Sequence, residues 1–204
     1  TLSATVADAE IDACVNSFIT GFGLRAFRRP ITASEAAIAR GVYDAIRPGQ
    51  GAVKAWASVL QFFVQSPPLL YRVERGVGPA AARPGLVSLS SYEMASRLSF
   101  LFLDSGPDAS LFDAAATGQR STPEEITAQA RRLMASPRFQ GALLGFHRDW
   151  LHLYEAAAKD LVRYPGYTPA VQASLASEPG ELIRQVLEQG DGSLRSLLSA
   201  PQSP

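Results

Sequence analysis

Residues 25–35 read RAFRRPITASE and join two segments of helical periodicity. Pro30 has no backbone N–H to donate, so a helix that runs into this stretch must end before it. Two residues later, Thr32 and Glu35 have the spacing of a capping box. In that motif the hydroxyl accepts from the third helical amide and the carboxylate reaches back to the cap amide. The stretch therefore predicts that one helix ends and the next begins within a few residues.

Similar start signals recur along the chain. Ser90 and Thr122 begin further capping boxes, and Ser136 and Thr168 each precede a proline, which suits the first position of a helix. No alternation of apolar and polar residues indicates a sheet. The sequence predicts an all-α fold of about ten helices. We place them near residues 8–28, 33–46, 52–65, 91–103, 109–117, 123–135, 137–156, 169–176, 178–189 and 193–199.

Residues 76–85, GVGPAAARPG, form a linker because repeated glycine and proline cannot continue a helix. We therefore expect two packed helical units: a small N-terminal domain over residues 1–75, a linker over 76–87 and a larger domain over 88–204. The chain begins at Thr1 without methionine, which predicts a fragment or a processed product. We also expect the larger domain to be truncated at its C-terminal end.

The overall composition is that of a globular protein. Of 204 residues, 47% are hydrophobic and 19% are charged, and the formal net charge is zero. A balanced charge gives no general attraction to nucleic acid. The longest apolar runs have the length of core helices, so we expect no membrane span. We predict no nucleic-acid partner and no membrane span for this chain.

The densest polar cluster is HRDWLH, residues 147–152, which contains both histidines. On one helix a spacing of five turns His147 and His152 about 140° apart, so they cannot bind one metal ion together. His147 has two interpretations: an axial ligand or proton carrier, or a part-buried histidine bonded to a neighbouring helix. We expect Trp150 to anchor the core. The weak catalytic candidates are His147, Asp149, Trp150 and Arg97.

Three arginines, Arg25, Arg28 and Arg29, lie at the predicted end of the first helix. Cations there complement the helix dipole and can bond its last carbonyls. Alternatively, the three could form an anion-binding clamp. Further along, Glu93 and Arg97 have the i, i+4 spacing of a helical ion pair.

The chain has one cysteine, Cys14, which excludes an internal disulfide and a cysteine-based metal site. The Cys-x-x-Cys-His sequence for covalent haem attachment is absent. We therefore expect no metal and no cofactor within this chain.

Several segments carry a resemblance to known families. RAFRRPIT (25–32) followed by QSPPLLYRVE (65–74) resembles a planctomycete-type domain of unknown function. LSSYEMASRLSF (89–100), then Pro107-Asp108 with Leu111, RRLM (131–134) and Phe146 with Trp150, resembles its usual neighbour. These tandem domains occur in large exported proteins of planctomycetes and myxobacteria-like bacteria, often with a c-type cytochrome module in the same chain.

The resemblance implies a bacterial protein located in the periplasm or at the cell surface, with haem c carried by a companion segment. Other segments of the same protein, and a c-type cytochrome, are the implied partners. It also implies a disulfide between Cys14 and a cysteine upstream. It supplies no catalytic residue. Pro179-Gly180 departs from the helical stretch that the resemblance implies, which leaves the continuity of the helix there open.

Two functional hypotheses follow. The first is a helical structural or docking module of an exported multidomain protein associated with electron transfer. The second is part of a haem-dependent oxidoreductase whose haem-binding segment lies outside this chain, which leaves open whether the protein is an enzyme. A binding module for carbohydrate or peptide is a third interpretation and would need an exposed aromatic groove.

Overall fold

A computed structural model describes residues 8–79, 85–118, 122–153, 159 and 162–199. Its elements confirm the all-α prediction. The helices are α1 (Asp8–Phe27), α2 (Ala33–Gln65), α3 (Pro67–Leu70), α4 (Ser91–Leu103), α5 (Ala109–Ala116), α6 (Pro123–Met134), α7 (Pro137–Trp150), α8 (Pro169–Arg184) and α9 (Leu194–Leu198). A π-helical turn, Gln185–Gln189, follows α8 directly. Among the described residues, no helix combines the length and apolar character that a bilayer span requires.

The predicted helix starts are confirmed by their hydrogen bonds. The Thr32 hydroxyl accepts from the Glu35 amide at 3.2 Å while the Glu35 carboxylate accepts from the Thr32 amide at 2.7 Å. Reciprocal bonds of the same kind begin α4 at Ser90 and α6 at Thr122. Each box satisfies two amides that the first turn of a helix would otherwise leave without a partner.

The chain divides into two compact units. The first unit contains Thr1–Phe100 and Ser105–Gln129, and the second contains Leu101–Asp104 and Ala130–Pro204. The sequence-based boundaries at 75, 76–87 and 88 stay a prediction. Within the predicted linker, β1 (Gly78–Pro79) pairs antiparallel with β2 (Val87–Ser88), and residues 80–84 lie outside the described residues.

The core of the first unit is built by α1 and the two halves of α2. Gly51 (φ 80°, ψ 169°) kinks α2 near the predicted break, and Pro48 lies just before it. The Tyr43 and Trp56 rings, on either side of the kink, meet edge to face at 5.7 Å. The buried members of this core are Val15, Ile19, Ala26, Phe27, Ala39, Tyr43, Ala55, Val59 and Phe63. Burying such apolar side chains is the main favourable contribution to folding.

The second unit has its own small core. Ile183, Val186 and Leu197 are buried, and Leu144 and Leu151 of the α7 segment pack against them. The predicted break between helices 169–176 and 178–189 was wrong, because α8 runs without interruption from Pro169 through Pro179 to Arg184. The helix predicted over 137–156 ends earlier, at Trp150, and residues 154–156 lie outside the described part of the chain.

Candidate functional site

The last two turns of α7 hold three of the four catalytic candidates predicted from the sequence: His147, Asp149 and Trp150. This helix begins at Ser136, whose hydroxyl accepts from the Arg138 amide, and Pro137 occupies its first turn. Leu144 and Leu151 lie seven residues apart on the face that packs against the core of the second unit. Phe146 and Trp150 follow Leu144 by two and six residues. At about 100° of rotation per residue, both side chains lie on a different face of α7 from Leu144.

His147 is held in one tautomer. Its Nδ1 lies 2.8 Å from the Leu143 carbonyl oxygen, one turn earlier on the same helix. A carbonyl can only accept, so Nδ1 carries the proton and the Nε2 lone pair is the free acceptor. The histidine is therefore bonded within its own helix, and the predicted bond to a neighbouring helix was wrong. Only 7% of the residue surface is exposed.

Phe146 and Trp150 form an exposed aromatic pair beside this histidine. Their ring centroids are 6.0 Å apart and their planes differ by 22°. The His147 ring meets both edge-on, at 5.2 and 6.1 Å. Phe146 is 60% exposed and Trp150 is 48% exposed, so the prediction that Trp150 anchors the core was wrong. The i, i+4 spacing of two aromatic residues was the available signal for this pair.

Asp149 lies in the last turn of α7, and His152 lies just after the helix. Asp149 is exposed near the end of α7. His152 follows the helix in a left-handed conformation with φ 54°, and it is exposed. The two histidines do not share a helical face, as the spacing predicts. Among the described residues, no group of three or more histidine, cysteine or acidic side chains is placed to hold a metal ion.

Arg97 belongs to the first unit, where its partner differs from the predicted one. Its guanidinium donates to both carboxylate oxygens of Glu74, 23 residues away. Glu93 instead accepts from the amides of Ser90, Arg75 and Gly76, at 2.8, 2.7 and 3.1 Å. Burial alone would raise the pKa of Glu93, but these bonds outweigh it and hold the pKa below its ordinary value. The predicted Glu93–Arg97 pair was therefore wrong.

The three arginines after α1 have separate environments. Arg25 is exposed. Arg28 is only 9% exposed, and its Nη2 donates to the carbonyls of Pro68 at 2.5 Å and Tyr71 at 2.9 Å. Burial, and then the nearby charge of Arg72, lowers the pKa of Arg28. Sequence reasoning missed this role, because the acceptors lie 40 and 43 residues away.

Arg29 forms a two-point ion pair with Glu35. That hydrogen-bonded pair raises the pKa of Arg29. The guanidinium groups of Arg28 and Arg29 already have oxygen acceptors within the protein. Their geometry therefore favours a role in stabilising the fold over a role in binding an anion. The anion-binding clamp stays a prediction. Cys14 is a free, exposed thiol on α1, and its pairing with an upstream cysteine also stays a prediction.

Comparison with protein families supplies the identity of this helical chain. Residues 89–203 match a family described as a protein of unknown function (DUF1592), and this match spans more than half of the chain. The chain belongs to the DUF1592 family. Residues 14–74 match a second family of the same description, DUF1595, so two domains of unknown function stand in tandem. No curated protein and no solved structure matches the chain.

The two family matches divide the candidate residues between the two domains. The DUF1592 segment contains the aromatic pair with His147, and also Arg97 and Asp149. The DUF1595 segment contains Cys14 and the arginine junction. The predicted resemblance to tandem domains of unknown function is thus confirmed, in the order that the sequence motifs gave.

Proposed function

We propose that this DUF1592 chain is a helical docking module of an exported bacterial protein associated with electron transfer. Its partner would be another segment of the same protein that carries a c-type haem, in the periplasm or at the cell surface. The source of this context is the resemblance of the sequence motifs to exported tandem-domain proteins. The observation that carries the docking role is the exposed Phe146–Trp150 pair.

The aromatic pair has the character of an interface anchor. Tryptophan and other aromatic residues are enriched at protein interfaces and among the residues that contribute most to binding. Phe146 and Trp150 expose about half or more of their surface, although each could bury a large apolar area. Each of these side chains has only two torsions, and both rings already rest against each other and against His147, so the conformational entropy lost when a partner covers them is small.

His147 fits a supporting role in this surface better than a role as a haem ligand. Its Nδ1–H donates to a carbonyl, an arrangement that is also common for histidines that bind metals. An iron atom would need an open approach to Nε2, however, and His147 as a whole is only 7% exposed, with the rings of Phe146 and Trp150 packed against its ring. The present geometry does not fit direct ligation. The bond to Leu143 instead fixes the ring against which both aromatic side chains rest.

Accessibility of Trp150 to a quencher tests the docking role. This chain has two tryptophans, Trp56 and Trp150, so Trp56→Phe leaves Trp150 as its single emitter. In the full-length protein, subtracting the emission of the double variant Trp56→Phe/Trp150→Phe isolates the signal of Trp150. We expect acrylamide to quench Trp150 several-fold less in the full-length native protein than in this chain alone, because the partner segment covers it. The matched control is Trp150→Phe, which reports Trp56 and should give the same quenching in both. Equal quenching of Trp150 in the two proteins would contradict docking at this surface.

The visible spectrum separates docking from the rival function. In the natively purified full-length protein, docking predicts a Soret band that His147→Ala leaves unchanged. A Soret band that shifts in His147→Ala, but not in Glu124→Gln, a control at an exposed acid of α6, would replace the docking proposal. It would support the haem-dependent oxidoreductase, with His147 at the haem.

A further inference from the structure

A cleft of about 270 Å³ is lined entirely by residues of the first unit. It is formed by the end of α1, the junction before α2, the first turn of α4 and the second half of α5. Its lining residues are Thr20, Leu24, Pro30, Ile31, Tyr92, Phe112, Asp113 and Ala116. The residues come from four separate parts of the sequence, so no local motif reveals the cleft.

Most of the lining is apolar, with Leu24 and Ile31 on one side and the rings of Tyr92 and Phe112 contributing aromatic surface. A dry cavity of about 150 Å³ is enough to hold a benzene molecule. The present cleft is larger, so it can accept a ring or a short alkyl chain together with a polar head group. Its size is close to the lower end of the range for small-molecule sites.

Asp113 brings a negative charge to this apolar cleft. Asp113 is exposed, and within the described part of the chain its carboxylate has neither an ion pair nor a hydrogen-bond partner. It also lies in the last turn of α5, Ala109–Ala116, where the helix dipole is negative and an anion is disfavoured. A cation placed in the cleft would be attracted by both the carboxylate and the negative end of the helix.

The Tyr92 hydroxyl is the second polar group at the cleft without a hydrogen-bond partner among the described residues. It can accept a hydrogen bond from an ammonium group. The faces of the Tyr92 and Phe112 rings can attract the same cation through their quadrupoles. Carboxylate, phenol and aromatic surface thus offer complementary contacts to one positively charged nitrogen.

We propose that this cleft binds a small organic ammonium ion, a primary amine with a short alkyl or arylalkyl chain. An anionic ligand would be repelled by Asp113. A neutral apolar ligand would cover the carboxylate without supplying a counter-charge, which costs free energy. The ammonium group satisfies Asp113 through a charge-assisted hydrogen bond, and the chain fills the apolar part of the cleft. This site goes beyond the docking role and does not depend on it.

The test uses the whole 204-residue chain and 2-phenylethylammonium as the probe, titrated by calorimetry at pH 7. We expect saturable binding in the millimolar range or tighter. The neutral analogue 2-phenylethanol has the same ring and chain length, and it should bind at least about tenfold more weakly because it cannot pair with a carboxylate. Equal affinities for the two probes, or no binding of the ammonium probe at millimolar concentration, would overturn the proposal.

Two variants locate the site. Asp113→Asn should weaken binding of the ammonium probe at least about tenfold, whereas Asp149→Asn removes one carboxylate from the second unit and should leave it unchanged. Ala116→Leu should reduce binding of both probes by filling the cleft. Circular dichroism would verify that each variant is folded. If Asp113→Asn and Asp149→Asn bind the probe equally, or if Ala116→Leu binds it as the parent chain does, the assignment is wrong.

Discussion

The Arg29 guanidinium and the Glu35 carboxylate form a two-point ion pair, with Nη1–Oε2 and Nη2–Oε1 distances of 3.0 and 2.8 Å. The same carboxylate accepts from the Thr32 amide at 2.7 Å and completes the capping box of α2. The Glu35 side chain therefore ties Arg29, the second residue after α1, to the first turn of α2. Because the Glu35 carboxylate makes both the ion pair and the cap bond, the stability of this junction depends on the protonation state of Glu35.

Glu35 should make the stability of the first unit depend on acidity. The hydrogen bond from Arg29, assisted by the bond from the Thr32 amide, outweighs the effect of burial and lowers the pKa of Glu35 from 4.5 to about 2. Since the folded-state pKa lies below the unfolded value, the contribution is complete above about pH 4.5 and is lost as the pH falls toward 2. We expect Glu35→Gln to lower the free energy of unfolding by about 1–2 kcal/mol at pH 7.

Urea unfolding of the parent chain and of Glu35→Gln at pH 7, 4 and 2.5 would measure this dependence. The difference between the two proteins should shrink as the acid becomes protonated. Glu124→Gln, an exposed acid on α6, serves as the control and should change stability by no more than about 0.5 kcal/mol. A gap between parent and Glu35→Gln that stays constant from pH 7 to 2.5 would show that the ion pair contributes nothing.

Arg28 should contribute more to stability than either neighbouring arginine. Besides its bonds to Pro68 and Tyr71, its Nη1 lies 3.4 Å from the Leu69 carbonyl. We expect Arg28→Ala to lower the free energy of unfolding by about 2–4 kcal/mol, because it leaves part-buried carbonyls without a donor. Exposed Arg25→Ala should cost less than about 0.5 kcal/mol. Chemical denaturation of both variants makes the comparison, and equal losses would contradict the role of Arg28.

A glycine variant separates the backbone of Arg28 from its side chain. Arg28 has φ 57°, a left-handed conformation that costs about 1–2 kcal/mol for residues other than glycine. Arg28→Gly loses the same hydrogen bonds as Arg28→Ala but relieves this strain. It should therefore be more stable than Arg28→Ala by about 1 kcal/mol. A glycine variant that is less stable than the alanine variant would show that the left-handed backbone is not strained.

The helices could be predicted because their signals are local. Thr32, Ser90 and Thr122 each find their bonding partner three residues away, so the sequence alone contains both halves of the motif. Arg97 and Arg28 bond to partners 23 and 40 residues away in the sequence. Only the tertiary fold brings these partners close, so the sequence alone does not distinguish them from nearer candidates. The cleft residues and the exposure of Trp150 were missed for the same reason.

Replacing Tyr43 with phenylalanine should make the protein more stable. Its side chain is fully buried, and its hydroxyl lacks a hydrogen-bond partner among the described residues. Burial of an unsatisfied hydroxyl costs about 1–3 kcal/mol. Tyr43→Phe keeps the ring contact with Trp56 and removes the unsatisfied group, so we expect a gain in stability of about 1 kcal/mol. Thermal unfolding would detect it, and a loss of stability would show that the hydroxyl has a partner in solution.

Pro179 should weaken α8 although the helix continues through it. The residue cannot donate to the carbonyl one turn earlier, and its ring crowds that turn, which together cost about 3 kcal/mol in a regular helix. Pro179→Ala restores the donor, and we expect it to raise the free energy of unfolding by about 1–3 kcal/mol.

Pro169→Ala is the matched control. Pro169 is the first residue of the same helix, where a missing amide costs nothing, so its replacement should bring no gain. Urea unfolding distinguishes the two variants. If they change stability equally, or if Pro179→Ala destabilises the chain, the proline is not a defect but part of how α8 bends against α7.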